Sequence, residues 1–304
     1  MSTQAIHPGD AALYPIREVS RLTGVNSVTL RAWERRYGLI RPQRTPKGHR
    51  LYAQDDIERI EQILQWLGRG VPVSQVRELL EQPKPEAPST PISNDWSVQR
   101  QQWITAIEAL DLQRLDELYN QSMALYPLPV CMNELFKPIV ETFEECWRDQ
   151  IGAALQRHSL ESFLRTRVGI RLYHGNLLNK GPHLIISRLP GSHGMLWELL
   201  IALAAVHEGF RVRLFDASLP LSDMPLAVQR LKASALLLCS SQAERSDLIR
   251  RQLPRLAEQL DVPLVLCGPV ARIRQADLAD GPVEVLGDDP MQALQRLTSL
   301  LKNQ

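Results

Sequence analysis

The chain has 304 residues, 44% of them hydrophobic and 23% charged, with a formal net charge of +1. That is the composition of a soluble globular protein with room for two or three domains. No run approaches the ~18 uninterrupted apolar residues of a membrane span. The N-terminal segment lacks the pattern of a signal peptide. Cys131, Cys146, Cys239 and Cys267 form no CxxC pair. These features exclude an exported or membrane-spanning class and lead to the expectation of a cytoplasmic chain with reduced, buried thiols and no metal site.

Charge is unevenly distributed. Between Leu13 and Tyr52 nine Lys and Arg residues face two acids, Glu18 and Glu34, an electrostatic footprint suited to phosphate. Ile16–Gly24 reads as a short amphipathic helix closed by glycine. Asn26 as N-cap and Gly38 as C′ residue bound a second helix of about eleven residues. Leu30, Trp33 and Tyr37 fall on one stripe of it, to be buried against the first helix. Ser27, Arg31 and Arg35 fall on another, placed for a major groove. Arg41–Tyr52 reads as a two-stranded wing with Lys47-Gly48 at its tip. Helices follow at Asp55–Leu67 and Ser74–Leu80. Residues 13–82 thus form a winged helix-turn-helix.

Pro83, Pro85, Pro88 and Pro91 mark 83–95 as an extended linker. Residues 96–180 carry apolar positions at three- and four-residue spacing and read as an all-α four-helix bundle. From residue 181 to 304, apolar runs at His183–Ser187, Val212–Phe215, Ala235–Cys239, Leu264–Cys267 and Val283–Leu286 alternate with helix candidates. Those candidates are Met195–Glu208, Ser222–Leu231, Arg245–Leu260, Ala271–Leu278 and Pro290–Leu301. Five βα units predict an α/β doubly wound, flavodoxin-like domain. Its default ligand crevice lies at the carboxyl ends of the strands.

Thr29-Leu-Arg31, Glu34-Arg-Arg-Tyr-Gly-Leu39, Pro42-Gln-Arg44, Gly48-His-Arg-Leu-Tyr52 and Asp55-Asp-Ile-Glu-Arg-Ile60 occur in this order. The string resembles the DNA-binding domain of the MerR family. The full layout resembles the branch carrying a C-terminal cobalamin-binding-like domain, which includes light-responsive repressors and cobalamin-free relatives. The resemblance implies that Ser27, Thr29, Arg31 and Arg35 meet the groove. It implies that Arg36, Arg44, Lys47, His49, Arg50 and Tyr52 meet mainly phosphate, which positions without specifying. Glu34 and Trp33 are expected to be structural, as an ion-pair partner and a core residue.

The cobalamin-binding members place an imidazole in a D/E-x-H-x-x-G sequence after the first strand. Here the segment reads Gly191-Ser-His193-Gly-Met-Leu196, without the carboxylate that would orient His193. The Gly-Gly expected after the fourth strand is Gly268-Pro269, and proline removes an N–H where close approach is needed. In the bundle, Trp147 and His158 survive, but the acid before the histidine is Arg157. Trp147, His158 and His193 would serve a cofactor only if cobalamin bound, and none is expected; without it, His158 is expected to be hydrogen-bonded in the bundle core. The sequence therefore points to a non-enzymatic transcription regulator, a dimer or higher homo-oligomer on an inverted-repeat operator. Its partners are double-stranded DNA and RNA polymerase at the promoter, with no membrane, and the balance tilts to activation. The alternative is an adenosylcobalamin-dependent light-sensing repressor.

Overall fold

The computed structural model describes residues 13–68, 71, 73–81, 95–147, 151–192 and 194–302. His193 and most of the expected linker lie outside the described residues. The contacts group the chain into two units. The first reaches Ala106 and takes in Gln113–Leu135; the second comprises Ile107–Leu112 and Phe136 onward.

In the first unit, β1 (Tyr14–Pro15) leads into α1 (Ile16–Thr23), which ends on Gly24 at φ +70°. Asn26 caps α2 (Ser27–Ala32), its side-chain oxygen accepting from the Val28 and Thr29 amides at 3.0 and 2.8 Å. The helix continues as a π turn, Trp33–Tyr37, and stops at Gly38, which takes the left-handed conformation (φ +60°) and donates its N–H to the Trp33 carbonyl. β2 (Gln43–Arg44) and β3 (Arg50–Tyr52) form the wing. β1 joins them, so the sheet has three strands in the order β1-β3-β2. α3 (Gln54–Gly68) and α4 (Val73–Glu81) complete the reader. Its core holds Val19, Leu30, Trp33, Ile60 and Ile63, all fully buried. α5 (Asp95–Glu108), α6 (Leu112–Leu125) and α7 (Leu128–Cys131) follow. The Trp33 indole donates to the Leu125 carbonyl at 2.9 Å, tying the reader's core to the end of α6.

In the second unit, α8 (Lys137–Cys146) and α9 (Ala153–Leu178) precede the sheet. The five strands are β4 (His183–Arg188), β5 (Arg211–Leu214), β6 (Ala235–Cys239), β7 (Leu264–Cys267) and β8 (Val283–Gly287). All pair in parallel, in the order β5-β4-β6-β7-β8. This is the flavodoxin-like order, and its switch point lies between β4 and β6. Because helices cover both faces, the inner strands are apolar runs, with all five residues of β6 and all four of β7 buried, while the edge strands β5 and β8 carry exposed positions. α10 (Leu196–His207) is buried along ten successive residues, as its apolar run foretold. α11 (Met224–Leu231), α12 (Leu253–Ala257), α13 (Pro269–Ile273), α14 (Gln275–Leu278) and α15 (Pro290–Lys302) complete the unit.

Two expected helices are shorter than their patterns. The one sought at Arg245–Leu260 is helical from Ser246 and passes through a π turn, Leu248–Gln252, just before Pro254. Proline has no N–H for the helical ladder, and the wider turn accommodates the gap. The one sought at Ala271–Leu278 breaks at Arg274 into α13 and α14. Among the described residues no helix is long and apolar enough to cross a membrane. Cys131, Cys239 and Cys267 are buried, whereas Cys146 is exposed, contrary to expectation, because it closes α8 on the solvent side.

Candidate functional site

Arg31, Arg35 and Arg36 stand exposed on the capped helix, with Ser27 half-buried at its start. Leu30 and Trp33, on the opposite stripe, are fully buried. The helix therefore presents guanidiniums outward from a rigid backing. Thr29 is fully buried, its hydroxyl turned into the core. Its place among groove contacts is corrected, since the motif position carries no information about which side faces in.

The wing is braced by one carboxylate. Glu34 accepts from Arg44 Nη2 at 2.7 Å and from Arg50 Nε. Burial raises the Glu34 carboxyl, but hydrogen bonds from Arg50 and Arg44 outweigh it and hold it below the usual range. This is the structural role expected of Glu34. Arg50 keeps only 18% of its side chain exposed, so its guanidinium is a brace before it is a phosphate contact. Tyr52 is fully buried in the core, and burial, reinforced by the charge of Glu34, pushes its phenol up to about 12. A phenol so placed reaches no phosphate, and Tyr52 leaves the set of DNA contacts. Lys47 and His49 remain exposed at the tip, where Thr45 accepts the Gly48 amide at 2.8 Å to close the turn.

The second unit holds a crevice of about 640 Å³ at the carboxyl ends of β4 and β6. Trp147 and α9 wall one side; Arg188, Ser192, Gly194, Asp216 and Gln242 line the sheet side. Arg188, the last residue of β4, donates to the Gly194 carbonyl at 3.1 Å and to the Asp216 carbonyl. Arg157 lies over the Trp147 ring, 5.0 Å from its centroid, and 3.4 Å from Glu144. Glu161 accepts the Met195 amide at 2.9 Å. His158 has 76% of its side chain exposed beside Glu161; the bundle-core placement expected of it is corrected, because it faces the crevice mouth. Trp147 is buried, its indole donating to Gln156 at 3.0 Å. Below the crevice, Glu198 is buried with Oε1 unpartnered, and burial pushes its carboxyl up to about 7. Nothing in the sequence pattern marked Glu198 beyond its interrupting an apolar run.

The model of the MerR HTH family regulatory protein matches residues 14–83. The chain is 28% identical over 273 residues to the HTH-type transcriptional repressor CarH of Myxococcus xanthus, covering 86% of this chain and 91% of that protein. It is 40% identical over 128 residues to the HTH-type transcriptional regulator MlrA of Escherichia coli (strain K12), covering 42% and 51% respectively. These relatives are named as transcriptional regulators or repressors, and the matched segment is the winged helix-turn-helix at the N-terminal end of the described residues. Among solved structures the chain matches the methanol:cobalamin methyltransferase complex MtaBC from Methanosarcina barkeri at 12% identity. The TM-score is 0.37, covering 75% of this chain and 92% of that one.

The strand ends around the crevice are tied to one another. The Arg188 guanidinium links the Gly194 carbonyl, in the loop after β4, to the Asp216 carbonyl, two residues past β5, along the sheet side of the crevice. Ser240, after β6, is stitched on both sides: its hydroxyl meets Ser192 Oγ at 3.1 Å and Glu244 at 2.6 Å, and its carbonyl accepts the Val270 amide at 3.2 Å. A Cβ on Gly268 would lie 3.3 Å from that carbonyl. Gly191, where a carboxylate would orient the ligand imidazole, has no side chain.

Proposed function

We propose that the regulator binds an inverted-repeat operator as a homodimer, reads bases with Arg31 and Arg35, and uses its C-terminal half for assembly or sensing without cobalamin. The exposed arginine row on the Asn26-capped helix supports this most directly. Specific affinity needs more contact than one such reader supplies, so two copies share the operator. Arg36, Arg44, Lys47 and His49 position the reader on phosphate, and RNA polymerase is the partner at the promoter. Ser27 sits beside the base-reading arginines.

Titration of operator and scrambled duplexes at several salt concentrations tests the assignment. Arg31→Ala lowers affinity for the operator by roughly 1–3 kcal/mol while sparing scrambled DNA. Lys47→Ala lowers both alike and flattens the salt slope by about one. Equal losses on both duplexes for Arg31→Ala would remove its base-reading role. The stitched strand ends and the bridging Arg188 support cobalamin independence; a corrinoid retained after desalting would overturn it. Genome-wide mapping of bound sites, combined with transcript levels in a deletion strain, reads the direction of control. Transcripts that fall on deletion mark activation and those that rise mark repression.

A further inference from the structure

Arginine donors outnumber their acceptors in the crevice at the carboxyl ends of β4 and β6. Arg157, Arg165 and Arg188 all line it, and each guanidinium carries five N–H donors. Their partners among the described residues are few. Arg157 meets Glu144 at 3.4 Å, and Arg188 meets the carbonyls of Gly194 and Asp216. Arg165 lies 3.9 Å from the Asp216 carboxylate, beyond hydrogen-bond reach. The Arg188 Nε is buried with no hydrogen-bond partner. The one buried carboxylate of the lining, Glu161, is committed to the Met195 amide and His158, so it does not answer the surplus. Trp147, Ala153, Ala154 and Met195 give the same cavity an apolar wall.

We infer that this crevice is a binding site for a small organic anion, whose carboxylate or phosphate oxygens lie between Arg165 and Arg188 and whose body packs on the Trp147 side. Its position agrees with the switch-point rule for doubly wound sheets, and about 640 Å³ suits a metabolite-sized ligand. Guanidinium forks match planar carboxylates and phosphates through paired hydrogen bonds. Arg188 is held in place from both sides by backbone carbonyls, so little order is lost when an anion arrives.

The test is calorimetric titration of the full chain with citrate and, separately, with adenosine monophosphate, against sodium chloride of matched ionic strength. Saturable binding of either supports the site, and which of the two binds tells carboxylate from phosphate. Arg165→Gln, at an exposed position that leaves the fold intact, weakens that binding about tenfold or more. Arg188→Gln weakens it further, with thermal melting as the check on folding. Flat titrations with both probes overturn the inference, and so does unchanged affinity in Arg165→Gln. The inference rests on the cobalamin-free reading of this half. Corrinoid retention would defeat that reading, whereas flat citrate and nucleotide titrations defeat the anion site alone.

Discussion

In the reader, Arg31, Arg35 and Arg36 project from a helix surface into open solvent. In the crevice, Arg157 lies on an indole ring and Arg188 is tied to two backbone carbonyls. The same side chain is used under opposite constraints. A duplex brings many charges and releases many counterions, so loosely held guanidiniums still bind it strongly. A small ligand brings one or two charges and cannot offset the ordering of several long side chains, so its arginines are placed in advance.

The largest expected effect tests the rigid backing behind the exposed row. Trp33→Ala removes a fully buried indole and its hydrogen bond to Leu125. It should destabilise the first unit by roughly 3–5 kcal/mol in urea unfolding, and weaken binding to all DNA. A loss below about 1 kcal/mol would show that the arginine row needs no such support.

Next is Glu198, beneath the crevice. Burial lifts its carboxyl to about 7 from an ordinary carboxylate value. A folded-state value raised in this way gives stability that is full below the unfolded pKa and is lost as pH climbs through about 7. At pH 8 the buried charge costs roughly 3 kcal/mol. Glu198→Gln should therefore be more stable than the parent at pH 8 by roughly that amount, with the gap closing towards pH 5. A pH-independent difference would mean that Glu198 finds a partner when ionised.

The smallest effect concerns the wing. Glu34→Ala frees Arg44 and Arg50 together. It should weaken operator and scrambled DNA equally, by roughly 1 kcal/mol, in the same salt titrations. A gain in affinity would show that the brace restrains phosphate contacts rather than presenting them.

The reader was legible because its signals are local. Asn26 and Gly38 mark their helix ends through hydrogen bonds and a left-handed turn that only neighbouring residues make. The inner parallel strands were named by their apolar runs for the same reason, since burial on both faces leaves β6 and β7 without a polar position. β1 was missed because Tyr14 and Pro15 become a strand only through pairing with Tyr52 and Leu51. Tyr52 and Thr29 were misplaced because a family string gives order along the chain, not inside and outside. The place of the crevice followed from topology, but its chemistry did not. Arg157, Arg188, Asp216 and Gln242 are brought together by α9 and three different strand ends, and no spacing rule joins them.

The π turn at Trp33–Tyr37 bears on how the exposed arginine row is aligned. In a plain α-helix, residues four apart overshoot a full turn by about 40°, because a turn takes 3.6 residues. A wider turn reduces the rotation per residue. Arg31 and Arg35 are thereby drawn towards a single line along the helix, like adjacent teeth of a key cut on one edge. Replacing that turn by regular α-helix would fan the two guanidiniums apart on the helix surface, without changing the identity of a single residue in the row.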